Sequence, residues 1–278
     1  MRIPFSDFGG DGPVLHFAHA NAYPPGAYRQ LLARLTTAFK VLAVHHRPLW
    51  PEPDPPESLQ DWRVFSHDLI RFLDEQELSG VVGMGHSMGA VTTMYAAIQR
   101  PELFRALVLV EPILLPPAML QLLEVEPEAM EEVPVVRAAR KRRTHWPSAA
   151  AAFEHFRPKP VFARLSDEAL QDYLAVGLRP AVQGGVTLTF SREWEAAIYS
   201  HPPQDVWQIL PQICQPTLAV RAAESNSLFS EAWDLWQNSQ PDAVFTEIAD
   251  TGHLLLLERP VELAEVVLRF WADVQFED

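Results

Sequence analysis

Cysteine is almost absent from this sequence, whose 278 residues include a single one, Cys214. One cysteine excludes an intramolecular disulfide and a cysteine-based zinc site. The chain also lacks any run of about 18 uninterrupted apolar residues, so we predict no membrane span. Residues 1–7 show no basic segment followed by an apolar one. We therefore expect no signal peptide and a cytoplasmic protein.

Positive charge is scarce as well. Lys and Arg together number 22 against 36 Asp and Glu, which gives a formal net charge of −14 at pH 7. Such a field repels phosphate backbones, so we predict no nucleic-acid partner. The composition is that of an ordinary globular protein, and the length suits one domain carrying an insertion. The sequence makes no prediction of the oligomeric state.

Short apolar runs alternate with helical patterns in residues 1–111 and again in residues 211–278. The predicted strands are residues 14–18, 41–44, 80–85, 106–110, 216–220 and 243–248. Strands that are apolar throughout and separated by helices indicate a mostly parallel central sheet with helices on both faces. We therefore predict an α/β fold whose core comprises these two parts of the chain.

The alternation breaks in residues 112–210, where helical patterns predominate. We predict that this stretch forms an inserted helical cap, or lid, over one edge of the sheet. Aromatic residues of the cap that face the sheet edge would line an apolar pocket. The basic run at residues 137–143 (RAARKRR) is expected to form a solvated helix face.

The clearest chemical motif is Gly-His-Ser-Met-Gly at residues 85–89. A predicted strand runs directly into it and a predicted helix runs out, the context of a nucleophile elbow. Glycines on either side relieve crowding in so tight a turn, which presents the serine hydroxyl at a helix N-terminus. The pattern predicts that Ser87 is a nucleophile.

A serine at its ordinary pKa needs a neighbouring base. Among 10 histidines, His253 lies in a Thr-Gly-His loop that follows the last predicted strand and precedes the last predicted helix. It also comes after the serine in the chain, as the base does in the order Ser, acid, His. We predict that His253 is the general base.

These features resemble the α/β-hydrolase fold superfamily, and the resemblance covers most of the chain outside the predicted cap. It rests on residues 17–21 (FAHAN), the elbow, residues 109–112 (LVEP) and residues 251–253 with Glu-Arg-Pro at 258–260. The resemblance implies an oxyanion hole made by the backbone N–H groups of Met88 and Asn21. Ala20 stands where the family usually has glycine, and His19 is expected to brace this loop.

The carboxylate that would orient His253 has two candidates. The family's commonest position follows the strand at residues 216–220, where Ser225 takes the place of the expected aspartate and Glu224 is the neighbouring acid. A second family position follows the strand at residues 106–110 and holds Glu111. We favour Glu111, with Glu224 as the alternative acid and assistance from Asn226 as a third arrangement.

The resemblance implies a serine hydrolase that cleaves a small or medium carboxylic ester through an acyl-enzyme at Ser87. It implies a small-molecule substrate and neither a metal nor an organic cofactor. A C–C bond hydrolase, an amidase or a cofactor-free haloperoxidase would use the same serine. A non-catalytic small-molecule receptor on the same fold is the alternative from another class.

Overall fold

The computed structural model describes residues 2–126 and 129–276, and its elements follow in chain order. The strands are β1 (Phe5–Gly9), β2 (Val14–Ala18), β3 (Lys40–Val44), β4 (Val81–His86), β5 (Phe104–Val110), β6 (His145–Trp146), β7 (Leu178–Pro180), β8 (Val186–Leu188), β9 (Thr217–Ala222) and β10 (Val244–Ile248). The helices are α1 (Arg29–Leu35), α2 (Arg63–Glu75), α3 (Met88–Gln99), α4 (Pro117–Val125), α5 (Ala129–Glu132), α6 (Pro134–Lys141), α7 (Ala149–Phe156), α8 (Asp167–Gly177), α9 (Arg192–Ser200), α10 (Val206–Ile209), α11 (Ser230–Ser239), α12 (Leu255–Glu258) and α13 (Pro260–Phe276). Within these ranges no helix combines the length and apolar character needed to cross a bilayer.

A seven-stranded sheet with the order β1-β3-β2-β4-β5-β9-β10 forms the centre of the molecule. All neighbouring strands run parallel except the edge pair β1 and β3, which is antiparallel. The predicted mostly parallel sheet is thereby confirmed, and all six predicted strands are present. The sequence reading missed β1, because its residues are half-buried and interrupted by polar side chains.

Helices cover both faces of this sheet, and the strands contribute alternate residues to the two sides. In β5, Val108 and Val110 join one apolar cluster with α1 and α13. Leu107 and Leu109 join the other cluster with α2, α3 and α11. This alternation is what a two-residue side-chain period imposes on a strand buried on both faces.

Residues 112–210, which we call the inserted segment, carry α4 to α10 and a small antiparallel sheet with the order β6-β8-β7. The prediction of an essentially helical segment was therefore incomplete, because strands of two or three residues leave no readable periodicity. Two tryptophans, one from the segment and one from the core, join the two parts by hydrogen bonds. Trp194 Nε1 donates to the carbonyl of Asp54 at 3.0 Å, and Trp62 Nε1 donates to the carbonyl of Ile198 at 3.0 Å.

Candidate active site

Ser87 lies in a strained turn between β4 and α3. Its backbone has φ 56° and ψ −117°, a conformation that costs energy in a residue with a side chain. The turn is held because Ser87 N–H donates to the carbonyl of Val110 at 3.0 Å. A Cβ on Gly85 would lie 2.4 Å from the carbonyl oxygen of Gly89, so a larger residue at position 85 would push the helix away. The elbow predicted from the sequence is present.

His253 reaches the serine from the loop between β10 and α12. Its Nε2 lies 3.1 Å from Ser87 Oγ, although 166 residues separate the two in the chain. The carboxylate of Glu258 stabilises this loop by accepting a hydrogen bond from the N–H of Gly252 at 2.8 Å. The imidazole is therefore positioned to accept the hydroxyl proton.

Glu111 completes the row of side chains and is fully buried. It follows β5 directly with φ 50°, a left-handed backbone conformation. One carboxylate oxygen, Oε1, accepts the backbone N–H of Ala222 at 2.7 Å. The other, Oε2, accepts the hydroxyl of Ser225 at 2.6 Å and His253 Nδ1–H at 3.0 Å. A carboxylate is only an acceptor, so this contact places the imidazole proton on Nδ1 and leaves Nε2 able to accept a hydrogen bond from Ser87 Oγ.

Glu224 and Asn226 are not brought to the imidazole. Glu224 is exposed and forms an ion pair with Arg164, while Asn226 is an exposed neighbour of Ser227. Ser225 occupies the loop position where an aspartate was expected, and it donates to Glu111. The two chain positions considered for the acid, 111 and 225, are therefore hydrogen-bonded to each other through the carboxylate of Glu111.

Met88 and Asn21 lie at the same end of the sheet. Met88 is the first residue of α3, where the backbone N–H has no partner within the helix. The next residue, Gly89, approaches so closely that a Cβ there would lie 2.1 Å from the carbonyl oxygen of Ala18 at the end of β2. Helix α3 therefore begins beside the loop that carries Asn21, as an oxyanion hole requires.

His19 braces that loop from beneath, as expected. Its Nδ1 donates to the carbonyl of Ala20 at 2.8 Å, and its Nε2 accepts the backbone N–H of His46 at 3.2 Å. Burial, reinforced by His46, holds the pKa of His19 well below its usual range, so the ring stays neutral. Neutrality allows one ring nitrogen to donate while the other accepts.

His86 has a role that the sequence did not reveal. Burial and the nearby His253 hold its pKa well below the usual range. Its Nε2–H donates to the backbone carbonyl of His253 at 2.9 Å, and its Nδ1 accepts the Tyr28 hydroxyl at 2.8 Å. The same hydroxyl accepts the N–H of Ala20 at 3.3 Å. This chain of hydrogen bonds connects the loop after β2, the turn that carries Ser87 and the loop that carries His253.

The sequence matches the model of the alpha/beta hydrolase family over residues 17–266. An abhydrolase domain-containing protein, ACTT2-1 of Alternaria alternata, is 21% identical over 230 residues, which are 69% of this chain and 83% of that protein. The strigolactone esterase RMS3 of Pisum sativum is 30% identical over 105 residues, covering 37% of this chain and 39% of that protein.

Among solved structures, the fold resembles that of an E-2-(acetamidomethylene)succinate hydrolase. The TM-score is 0.78 at 18% identity, and the match covers 96% of this chain and 94% of the other. At that identity the likeness shows the fold. Because the family model spans most of the chain, this protein belongs to the alpha/beta hydrolase family.

Proposed function

We propose that this protein is a serine hydrolase that cleaves small or medium carboxylic esters through an acyl-enzyme at Ser87. The observation that supports this most is the row Ser87–His253–Glu111, with contacts of 3.1 Å and 3.0 Å about the imidazole. Ester hydrolysis by a serine nucleophile uses this order of hydroxyl, imidazole and carboxylate.

In the first half-reaction, Ser87 Oγ attacks the ester carbonyl carbon while His253 Nε2 takes the hydroxyl proton. The carbonyl oxygen becomes an oxyanion that the backbone N–H groups of Met88 and Asn21 stabilise. The C–O bond to the leaving group then breaks, and His253 returns the proton to the departing alcohol. Glu111 keeps the imidazole oriented and stabilises the imidazolium that forms between these steps.

In the second half-reaction, water attacks the acyl-enzyme carbonyl as His253 removes one of its protons. Collapse of the second tetrahedral intermediate releases the carboxylic acid and returns the proton to Ser87 Oγ. We further propose that the inserted segment acts as a cap over this end of the sheet. Its contacts with the loops around Trp62 and Asp54 favour that placement.

The test is a panel of p-nitrophenyl esters of increasing acyl length, run beside p-nitroanilides and β-diketones. We expect ester hydrolysis to predominate, with Ser87→Ala and His253→Ala each lowering kcat by about 10⁴-fold while the fold is kept. Circular dichroism supplies the folding control. Full ester hydrolysis by Ser87→Ala would contradict the proposal, and preferential cleavage of anilides or diketones would correct the bond type.

A further inference from the structure

A polar cluster that the proposed chemistry does not use lies between the inserted segment and the loop after β2. Arg142 Nη2 forms an ion pair of 2.8 Å with Glu195 Oε1. Arg142 also interacts electrostatically with Tyr23, Tyr173 and Tyr199, and Lys159 interacts with both members of the ion pair. We call these six residues the Arg142 cluster.

Arg142 departs from the expectation of a solvated basic run. Its side chain is 24% exposed, whereas Arg140 on the neighbouring helix α6 is 55% exposed and pairs with Glu131 at the surface. The carbonyl of Arg142 accepts Arg192 Nη1 at 3.2 Å, which fixes the backbone at this position. A guanidinium is costly to bury unless anions or other acceptors surround it.

The cluster lies against the loop after β2, which carries Asn21 and Tyr23. Asn21 Nδ2 donates to the backbone carbonyl of Glu195 at 3.0 Å, so helix α9 is joined to the residue whose N–H is expected to bind the oxyanion. Tyr23, two residues further along that loop, packs on Tyr173 with ring centroids 4.9 Å apart. Two side-chain contacts therefore join the Arg142 cluster to the loop that carries Asn21.

The charges of the cluster do not balance. It contains two cations, Arg142 and Lys159, and one carboxylate, Glu195, which is 2% exposed. Burial raises the pKa of Glu195 to about 7, although Arg142 and Lys159 oppose the shift. Glu195 Oε2 is buried and has no hydrogen-bond partner among the residues described. Near neutral pH the cluster is thus positively charged, in a chain whose formal net charge is −14.

We propose that the Arg142 cluster binds a carboxylate carried by the substrate, so that the enzyme prefers half-esters of dicarboxylic acids. The ligand carboxylate would accept hydrogen bonds from the guanidinium of Arg142 and from the surrounding tyrosine hydroxyls. A proton on Glu195 Oε2 gives this otherwise unpartnered atom a hydrogen bond to donate to the same ligand. The inference rests on the proposed esterase function, because it places the reacting carbonyl at Ser87.

The experiment compares p-nitrophenyl hydrogen succinate, glutarate and adipate with the same compounds capped as methyl esters, after subtraction of spontaneous hydrolysis. We expect at least one half-ester to be hydrolysed with a higher kcat/KM than its methyl-capped partner. Arg142→Met should lower kcat/KM for that half-ester by about 10- to 100-fold, mainly through KM, because a charge-assisted contact is lost. For the capped ester, the same variant should stay within about threefold of the wild type.

Arg140→Met is the matched control, because it removes the same charge from an exposed position and should change neither substrate. Arg142→Lys keeps the charge without the planar fork, so an intermediate loss of kcat/KM is expected for the half-ester alone. This variant also serves if Arg142→Met fails to fold. A preference for the capped ester at every chain length would overturn the proposal, as would equal losses for both substrates.

A binding measurement separates this inference from the esterase proposal. Monomethyl succinate, glutarate and adipate are each titrated by calorimetry into the Ser87→Ala protein, which needs no turnover. We expect binding that weakens at least tenfold when Arg142→Met is added. Absence of binding, or binding unaffected by the second substitution, would overturn the anion site even if esters are hydrolysed. Binding without any ester hydrolysis in the wild type would refute the esterase proposal alone.

Discussion

Two buried carboxylates, one at the sheet edge and one in the inserted segment, differ in the number of hydrogen bonds that they accept. Glu111 is fully buried and accepts three hydrogen bonds, from Ala222, Ser225 and His253. Glu195 is almost as buried, but among the described residues it forms an ion pair with Arg142 and its Oε2 has no hydrogen-bond partner. Hydrogen bonds to the charged form stabilise a carboxylate, and burial without them favours the protonated form.

The difference indicates different tasks. A carboxylate held by three donors is rigid, and rigidity is what orients an imidazole. A carboxylate with a free oxygen and a pKa raised to about 7 changes its charge in the neutral range and can respond to a ligand. The same type of side chain is therefore fixed in one region and able to change its charge in the other. Four experiments test this difference.

The largest effect is expected at Glu111. Glu111→Gln keeps the shape but puts an amide beside His253 Nδ1, which favours the wrong tautomer, so kcat/KM for a neutral p-nitrophenyl ester should fall about 10³- to 10⁴-fold. Glu224→Gln is the matched control and should stay within about threefold of the wild type. A large loss in the control instead would transfer the role of the acid to Glu224.

The second effect is a rescue. Ser225 Oγ lies 2.6 Å from Glu111 Oε2, so an aspartate at position 225 would bring a carboxylate close to the imidazole. The double variant Glu111→Gln/Ser225→Asp should recover about 10- to 100-fold of the kcat/KM lost in the single variant. Ser227→Asp in the same background supplies a misplaced carboxylate and should recover nothing; equal recovery in both would argue for a general charge effect.

The third effect is a pH dependence at Glu195. Below pH 7 this residue is mostly neutral, and as the pH rises through its pKa it adds a negative charge beside the ligand carboxylate. KM for the preferred half-ester should therefore rise about tenfold between pH 6 and pH 8. Glu195→Gln should flatten this rise, and the methyl-capped ester should show none. An unchanged profile in the variant would exclude Glu195 as the group responsible.

The smallest effect is expected at Ser225. Ser225→Ala removes one of three donors to Glu111 and also the acceptor for the N–H of Leu228 at 2.9 Å. We expect a three- to fivefold fall in kcat and a loss of about 1.5 kcal/mol in the free energy of unfolding, measured in urea. The neighbouring Ser227→Ala should leave both quantities unchanged, so an equal loss there would contradict a specific role.

The sheet edge could be anticipated because its signals are local. The elbow needs glycines at 85 and 89 within one short turn, and the apolar strands specify a buried parallel sheet whatever surrounds them. The identity of the acid depends instead on a contact between the loops after β5 and β9. Spacing along the chain placed both Glu111 and Glu224 at the right edge, so it favoured Glu111 but left Glu224 as the alternative.

The inserted segment was harder to anticipate for the same reason. Its small sheet pairs strands of two or three residues. Arg142 is half-buried through contacts with α9, which lies far from it in the chain. The run of basic residues indicates a solvated face, and most of that face is solvated. Tertiary packing, which local sequence does not reveal, turns the Arg142 side chain inward. It also places His86 in the hydrogen-bond chain next to the site.

The proposed hydrolysis depends most on activation of the Ser87 hydroxyl by His253. Reaction with a fluorophosphonate probe, followed by peptide mass mapping, reads this out directly. We predict one adduct, on Ser87, formed rapidly in the wild-type protein and in Glu224→Gln but at least 100-fold more slowly in His253→Ala. A folded wild-type protein that remains unmodified, or is modified at another residue, would contradict the account.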